Sequence, residues 1–335
     1  MFQTIRNAWK VDDLRKKILF SLFILLLYRI GAQIPVPFLT PDLTTAISAQ
    51  TAGSIFDYMN ILSGGAFAQA TLFALGVSPY ITASIVIQLL AVAIPALERL
   101  SKEGEEGKKK MNQITRIVTV ALSLLTAIGY YLMLKNGAGS GENWVVEFTK
   151  NGVFEMFVII ACYCAGSSLV MWLAEKINEN GIGNGISMIL FAGIISRGPV
   201  AFVTLYNNAV AGKWPWVIAI CVIFLLIIAF IVFMTAAERR IPVQYAKKVV
   251  GRKMYGGQNT HLPIQVNMAG VMPIIFASSI LSIPSTILAF MGNAKENWFT
   301  KVLNLFSYEK PLYVVLYLLL IVFFAYFYVT IQYNP

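Results

Sequence analysis

The sequence predicts an all-α protein that crosses a bilayer several times, and three observations carry that prediction. Apolar residues make up 58% of the 335, charged residues 13%, and mean hydropathy is +0.70, whereas a soluble domain carries about a quarter charged residues. Apolar runs of roughly 20 residues, long enough to cross about 30 Å of hydrocarbon, recur at about 18–38, 76–97, 115–134, 153–174, 184–205, 215–237, 268–291 and 311–333. Basic residues are divided unevenly among the loops between them.

Taken in order, the runs and their flanks set a topology. The N-terminal arm holds Arg6, Lys10, Arg15, Lys16 and Lys17. The 98–116 loop holds Arg99, Lys102, Lys108, Lys109, Lys110 and Arg116, the 175–183 loop Lys176, and the 238–267 loop Arg239, Arg240, Lys247, Lys248, Arg252 and Lys253. The opposite loops carry only Lys135, Lys150, Arg197, Lys213, Lys295, Lys301 and Lys310. By the positive-inside rule the N-terminus and the richly basic loops are cytoplasmic. The first run ends in no small-residue cleavage site and is long enough to stay as a span. Cys162, Cys164 and Cys221 lie inside apolar runs, where thiols act as small hydrophobes.

Between the first two runs, Ser54–Gly76 is half polar and interrupted by Gly64–Gly65. It is unsuited to face lipid as a span, and irregular backbone at membrane depth needs protein or water around it. It is expected to dip in from outside, held by modest contacts; the competing reading is a helix lying on the outer surface. Arg29 and Glu155 are the ionisable residues within the runs, each near enough to an interface to snorkel. Midplane charges of an ion-coupled carrier are missing, as is a filter motif. The single histidine, His261, falls in a cytoplasmic loop, and no catalytic constellation appears at membrane depth. Neither enzymatic activity nor a cofactor is expected.

What remains is aliphatic spacing. Ile182, Ile186, Leu190 and Ile194 recur every four residues behind the glycines of "NGIGNGIS", as if behind a loose hinge; Val77, Ile81 and Ile85 do so around Pro79, and Ile275 follows Pro273. Each ladder suits helix packing or lipid contact. Converging, they suit a narrow apolar collar that excludes water and opens when its helices shift. The break at Gly181–Gly185 also fits a secondary transporter with a broken-helix solute site, which would need a midplane charge as well.

These stretches, from "RIGAQIPVP" through "SGGAFAQATLFALGVSPYITASIVIQLL", "GIGNGIS" and "THLPIQVNMAGVMPIIFASSI" to "YNP", resemble the SecY family, the central channel subunits of bacterial Sec protein translocases. The resemblance implies a SecY-type bundle with a central hydrophobic constriction, a re-entrant plug helix and a lateral gate. It passes unfolded secretory chains across the cell membrane and releases membrane segments sideways. By resemblance, Val77, Ile81, Ile182, Ile186, Leu190 and Ile275 match the pore ring, and Phe56, Tyr58, Asn60, Gly64 and Gly65 fall in the plug. Thr82, Gln88 and Asn267 match a polar cluster by the gate; taken alone, each is equally suited to an ordinary interhelical hydrogen bond. The implied partners are SecE and SecG in the membrane, the SecA motor or a ribosome at the cytoplasmic loops, and signal sequences and translocating chains in the pore. The family has ten spans in two halves; this chain would supply the N-terminal half over 1–205 and three spans of the other over 206–335.

The 238–267 loop is long for a connection between spans. Val243, Tyr245, Val249, Val250, Met254 and Tyr255 alternate with basic residues around Gly251, which predicts an extended hairpin tipped by Arg252 and Lys253. By resemblance, Arg239, Arg240, Lys247, Lys248, Arg252 and Lys253 bind cytoplasmic partners. The positive-inside rule alone also accounts for their charge.

Overall fold

The computed structural model describes residues 9–40, 55–135, 144–146, 152–243, 248–250, 253–255, 260–291 and 310–332. Helix α1 spans Asp12–Gly31, α2 Ile55–Leu62, α3 Ser78–Ala93, α4 Pro95–Lys102, α5 Glu105–Lys135, α6 Val153–Asn180, α7 Gly185–Ile195, α8 Gly198–Val210 and α9 Trp214–Ala236. Strands β1 (Glu238–Val243), β2 (Lys248–Val250), β3 (Lys253–Tyr255) and β4 (Thr260–Gln265) follow, then α10 (Met272–Met291) and α11 (Pro311–Gln332). Among the described residues, five helical segments are long and apolar enough to cross a membrane: α5, α6, α7 taken together with α8 (Gly185–Val210), α9 and Pro311–Thr330.

Helix boundaries follow local chemistry. The first run was expected to continue to residue 38, but α1 stops at Gly31, because Pro35 and Pro37 cannot extend the hydrogen-bond ladder; Pro35 instead bridges Thr71. Asp12 and Asp13 lie in its first turn, where negative charge complements the helix dipole. The second run breaks at Ile94, whose extended backbone precedes Pro95 and starts α4. The fifth is likewise divided, into α7 and α8, by a turn at Ser196–Arg197.

The chain forms two compact units, Met1–Pro199 with Ser278–Tyr317, and Val200–Ala277 with Leu318–Pro335. In the first, α5 packs on α3, α4 and α6, while α6 also receives α1 and α7. Its core joins Ala127, Tyr130, Tyr131 and Leu134 of α5 to Ile159 and Tyr163 of α6, with Phe67, Ala70 and Leu75 from the chain between α2 and α3. Arg116 Nε donates to Glu175 Oε1 at 2.8 Å, tying α5 to α6 near the ends expected to be cytoplasmic. In the second unit, α9 has no buried residue, and Phe276 of α10 meets Phe324 of α11 edge-on at 5.8 Å. The predicted hairpin is present: β1 pairs antiparallel with β4 from Glu238↔Gln265 to Val243↔Thr260, and β2 with β3 from Lys248↔Tyr255 to Val250↔Lys253.

Candidate functional site

The stretch between α2 and α3 is irregular yet enclosed. Ser63 to Ala68 and Ala70, Thr71 and Phe73 to Val77 are all buried. Buried backbone must find partners, and here most are local. Gly65 N donates to Asn60 O, and Ala68 N to Asn60 Oδ1. Ser63 Oγ accepts from Phe67 N at 3.1 Å and donates to Asn60 O. Leu72 N reaches Ile34 O, beside the Pro35–Thr71 bridge. Two phenols pin the stretch from the long helices: Tyr130 OH of α5 donates to Phe67 O at 2.6 Å and Tyr163 OH of α6 to Ala70 O at 3.2 Å. Ala70 is held at φ +47, a left-handed conformation that alanine rarely adopts. Tyr28 stacks on Phe73, and Gly31 leaves room for that ring.

This finding corrects the expectation of modest contacts. Only α2, through Leu62, is a candidate moving part; of residues 63–76 all but Gln69 and Leu72 are buried. Asn60, 3% exposed, works as the knot between the two parts, and Gly64 and Gly65 take φ of +68° and +96° there, which glycine alone adopts without strain. The side chains of Phe56 and Tyr58 lie outside the described residues. Tyr130 and Tyr163 were missed in the sequence, although a phenol inside an apolar run signals a hydroxyl that needs a buried acceptor.

The glycine break before α7 is not loose either. Ser21 Oγ on α1 accepts from Ile182 N at 3.0 Å while donating to Lys17 O. Asn178 Oδ1 accepts from Gly185 N at 2.7 Å, and Asn184 Oδ1 caps α7 by accepting from Ile186 N and Ser187 N. Gly181 and Gly185 have no room for a Cβ against Ser21 Oγ and the Ala174 carbonyl respectively. A transporter's broken helix needs free N-terminal amides for its solute. These are already occupied by the chain's own asparagines, and the transporter reading loses its site.

The structure separates the two ladders. On α7 the face buried in the unit is Gly185–Ile189–Gly193, whereas Ile182, Ile186 and Leu190 are half-buried beside it and Ile194 is exposed. On α3 the ladder is itself buried, with Val77 at 4%, Ile81 at 8% and Ile85 at 2%. Ile275 on α10 is half-buried. Helix packing therefore accounts for the α3 spacing, but leaves the α7 spacing unused.

The polar candidates are satisfied within their own segments. Thr82 Oγ1 donates to Ser78 O, Gln88 Nε2 to Ser84 Oγ, and Asn267 Oδ1 accepts from Gly270 N. Glu155, expected to snorkel, is instead fully buried, because it shares the core-facing side of α6 with Ile159 and Tyr163, four and eight residues further on, while Val153 and Phe154 beside it are exposed. Arg239 and Arg240 are exposed on β1, the latter 4.0 Å from Glu238. Lys248 and Lys253 lie on β2 and β3, without described side chains, while Lys247 and Arg252 fall outside the described residues. On α4, Lys102 Nζ donates to Glu98 at 2.7 Å and holds that carboxyl below its usual range.

Apolar helices long enough to span, wrapped around an irregular stretch that no lipid could solvate, define a multi-pass membrane protein with a re-entrant segment. Comparison with known proteins gives the class its family. The SecY family profile matches residues 71–335. The chain is 42% identical over 344 residues to the protein translocase subunit SecY of Streptomyces galbus, covering 100% of this chain and 78% of that one. It is 42% identical over 340 residues to that of Corynebacterium glutamicum, with coverages of 99% and 77%. A solved protein-conducting channel superposes with a TM-score of 0.63 at 18% identity, over 93% of this chain and 70% of that one. The chain belongs to the SecY family of protein translocase subunits, and it is a protein-conducting channel subunit of a bacterial membrane.

Proposed function

We propose that this subunit conducts unfolded secretory polypeptides through an apolar collar formed by Val77, Ile81, Ile182, Ile186, Leu190 and Ile275. A narrow aliphatic neck expels water at rest and parts around a chain that enters it. The observation that carries the proposal is the α7 ladder, which stands beside the packing face Gly185–Ile189–Gly193 rather than within it. Helix α2, with Phe56, Tyr58 and Asn60 and the Gly64–Gly65 break, is the plug. Helices α3 and α10 border the lateral gate, where Thr82, Gln88 and Asn267 exchange their local bonds as signal sequences and membrane segments leave.

The polypeptide is moved without chemistry by this chain. SecE and SecG are its membrane partners, and SecA or a ribosome docks on the cytoplasmic face, where the N-terminus also lies. The subunit's N-terminal half is 1–205, and 206–335 belongs to the other half. The β1–β4 hairpin supplies Arg239, Arg240, Lys247, Lys248, Arg252 and Lys253 to acidic surfaces or phosphates, an attraction that falls with salt.

The test is a photoprobe at Ile182 or, as a control, at Ile189, with a secretory chain stalled in the assembled translocase. Crosslinking at 182 and not at 189 is expected. Equal crosslinking at both positions, or none at either, overturns the collar.

A further inference from the structure

Gly193 stands inside α7 with ordinary helical backbone, so its conformation does not call for glycine, and glycine weakens a helix interior relative to alanine. Its missing side chain has another use. A Cβ on Gly193 would lie 2.5 Å from Leu62 O and 3.6 Å from Gly64 N. Reciprocally, a Cβ on Gly64 would lie 2.6 Å from Gly193 O and 2.7 Å from Ser196 Oγ, the hydroxyl that donates to Gly193 O. The end of α2 therefore rests backbone to backbone on α7, an approach that two glycines permit and any other pair forbids.

We propose that Gly193 is a positioning residue, the seat on which the plug closes, and that through it the plug senses the helix carrying Ile186 and Leu190 of the collar. The proposal rests on the reading of α2 as the plug. A movement of α7 that displaces Ile186 and Leu190 also moves the surface under Leu62–Gly64, so that collar opening and plug release occur together. The stretch from Ala66 to Gly76 stays pinned by Tyr130 and Tyr163 at Phe67 and Ala70, which leaves Gly64 and Gly65 as the hinge.

The test is Gly193→Ala in the assembled translocase, beside deletion of Ile55–Leu62. Alanine favours α7 by itself and collides with the Leu62 carbonyl of the plug, so melting should fall no further than in the deletion, which removes the same contact together with Asn60. Resting ion conductance should rise several-fold, and a cysteine replacing Leu62 should react several-fold faster with a soluble thiol reagent. Wild-type conductance in Gly193→Ala alongside a leaking deletion overturns the seat and leaves the plug standing. A deletion that does not leak overturns the plug itself. If Gly193→Ala does not assemble, it is combined with the deletion: recovered assembly identifies the plug as the group it struck, and continued failure overturns the proposal.

Discussion

Ser63–Gly76 and α9 invert the ordinary relation between apolarity and burial. The first is irregular and carries serine, threonine and glutamine, yet nearly all of it is buried. The second is the most apolar of the described spanning helices, with a mean hydropathy of 3.5 over its most apolar 18 residues, and has no buried residue. In a bilayer the backbone decides. A helix satisfies its own amides and carbonyls and can face lipid, whereas an irregular stretch must be surrounded by protein that supplies its partners. Asn60, Ser63, Tyr130 and Tyr163 are those partners here.

The contrast breaks first at Gly166. A Cβ there would collide with the Leu72 carbonyl, where α6 backs directly onto the irregular stretch. Gly166→Val is expected to cost about 3 kcal/mol or more, read as loss of folded protein in detergent titration. Tyr130→Phe keeps the ring against Phe67 but strands a buried carbonyl, at a cost of about 1–3 kcal/mol; a melting midpoint equal to wild type would show that the carbonyl finds another donor. Leu226→Ala on α9 should change stability by about 0.5 kcal/mol or less, since Leu226 is 63% exposed. A loss comparable to that from Tyr130→Phe would mean that α9 is held by protein after all.

This difference marks the limit of sequence reading. Five of the eight spans expected from apolar runs stand as described helices long and apolar enough to cross, because length and composition are what a bilayer selects, and the β-hairpin was legible from alternation around Gly251. Ser54–Gly76 announced itself as anomalous, but its division at Leu62–Gly65 depends on Tyr130 and Tyr163, which are distant in sequence and carry no local signature of their acceptors. The glycines of 181–185 read as slack because glycine permits motion; Ser21, Asn178 and Asn184 instead accept from the amides of Ile182, Gly185 and Ile186 and hold the turn in place. Periodicity found the ladders of α3 and α7 but not which was a packing face. Gly185, Ile189 and Gly193 also recur every four residues, and small residues let helices approach where long ones hold them apart.

Whether the aliphatic collar is the seal is tested most directly by replacing Ile81, Ile186 and Ile275 together with Asn in the assembled translocase and measuring resting conductance across a planar bilayer. The collar predicts a sustained ion leak, because three amides hydrate a neck that aliphatic side chains kept dry. Conductance as low as wild type, from protein that folds and inserts normally, would contradict it.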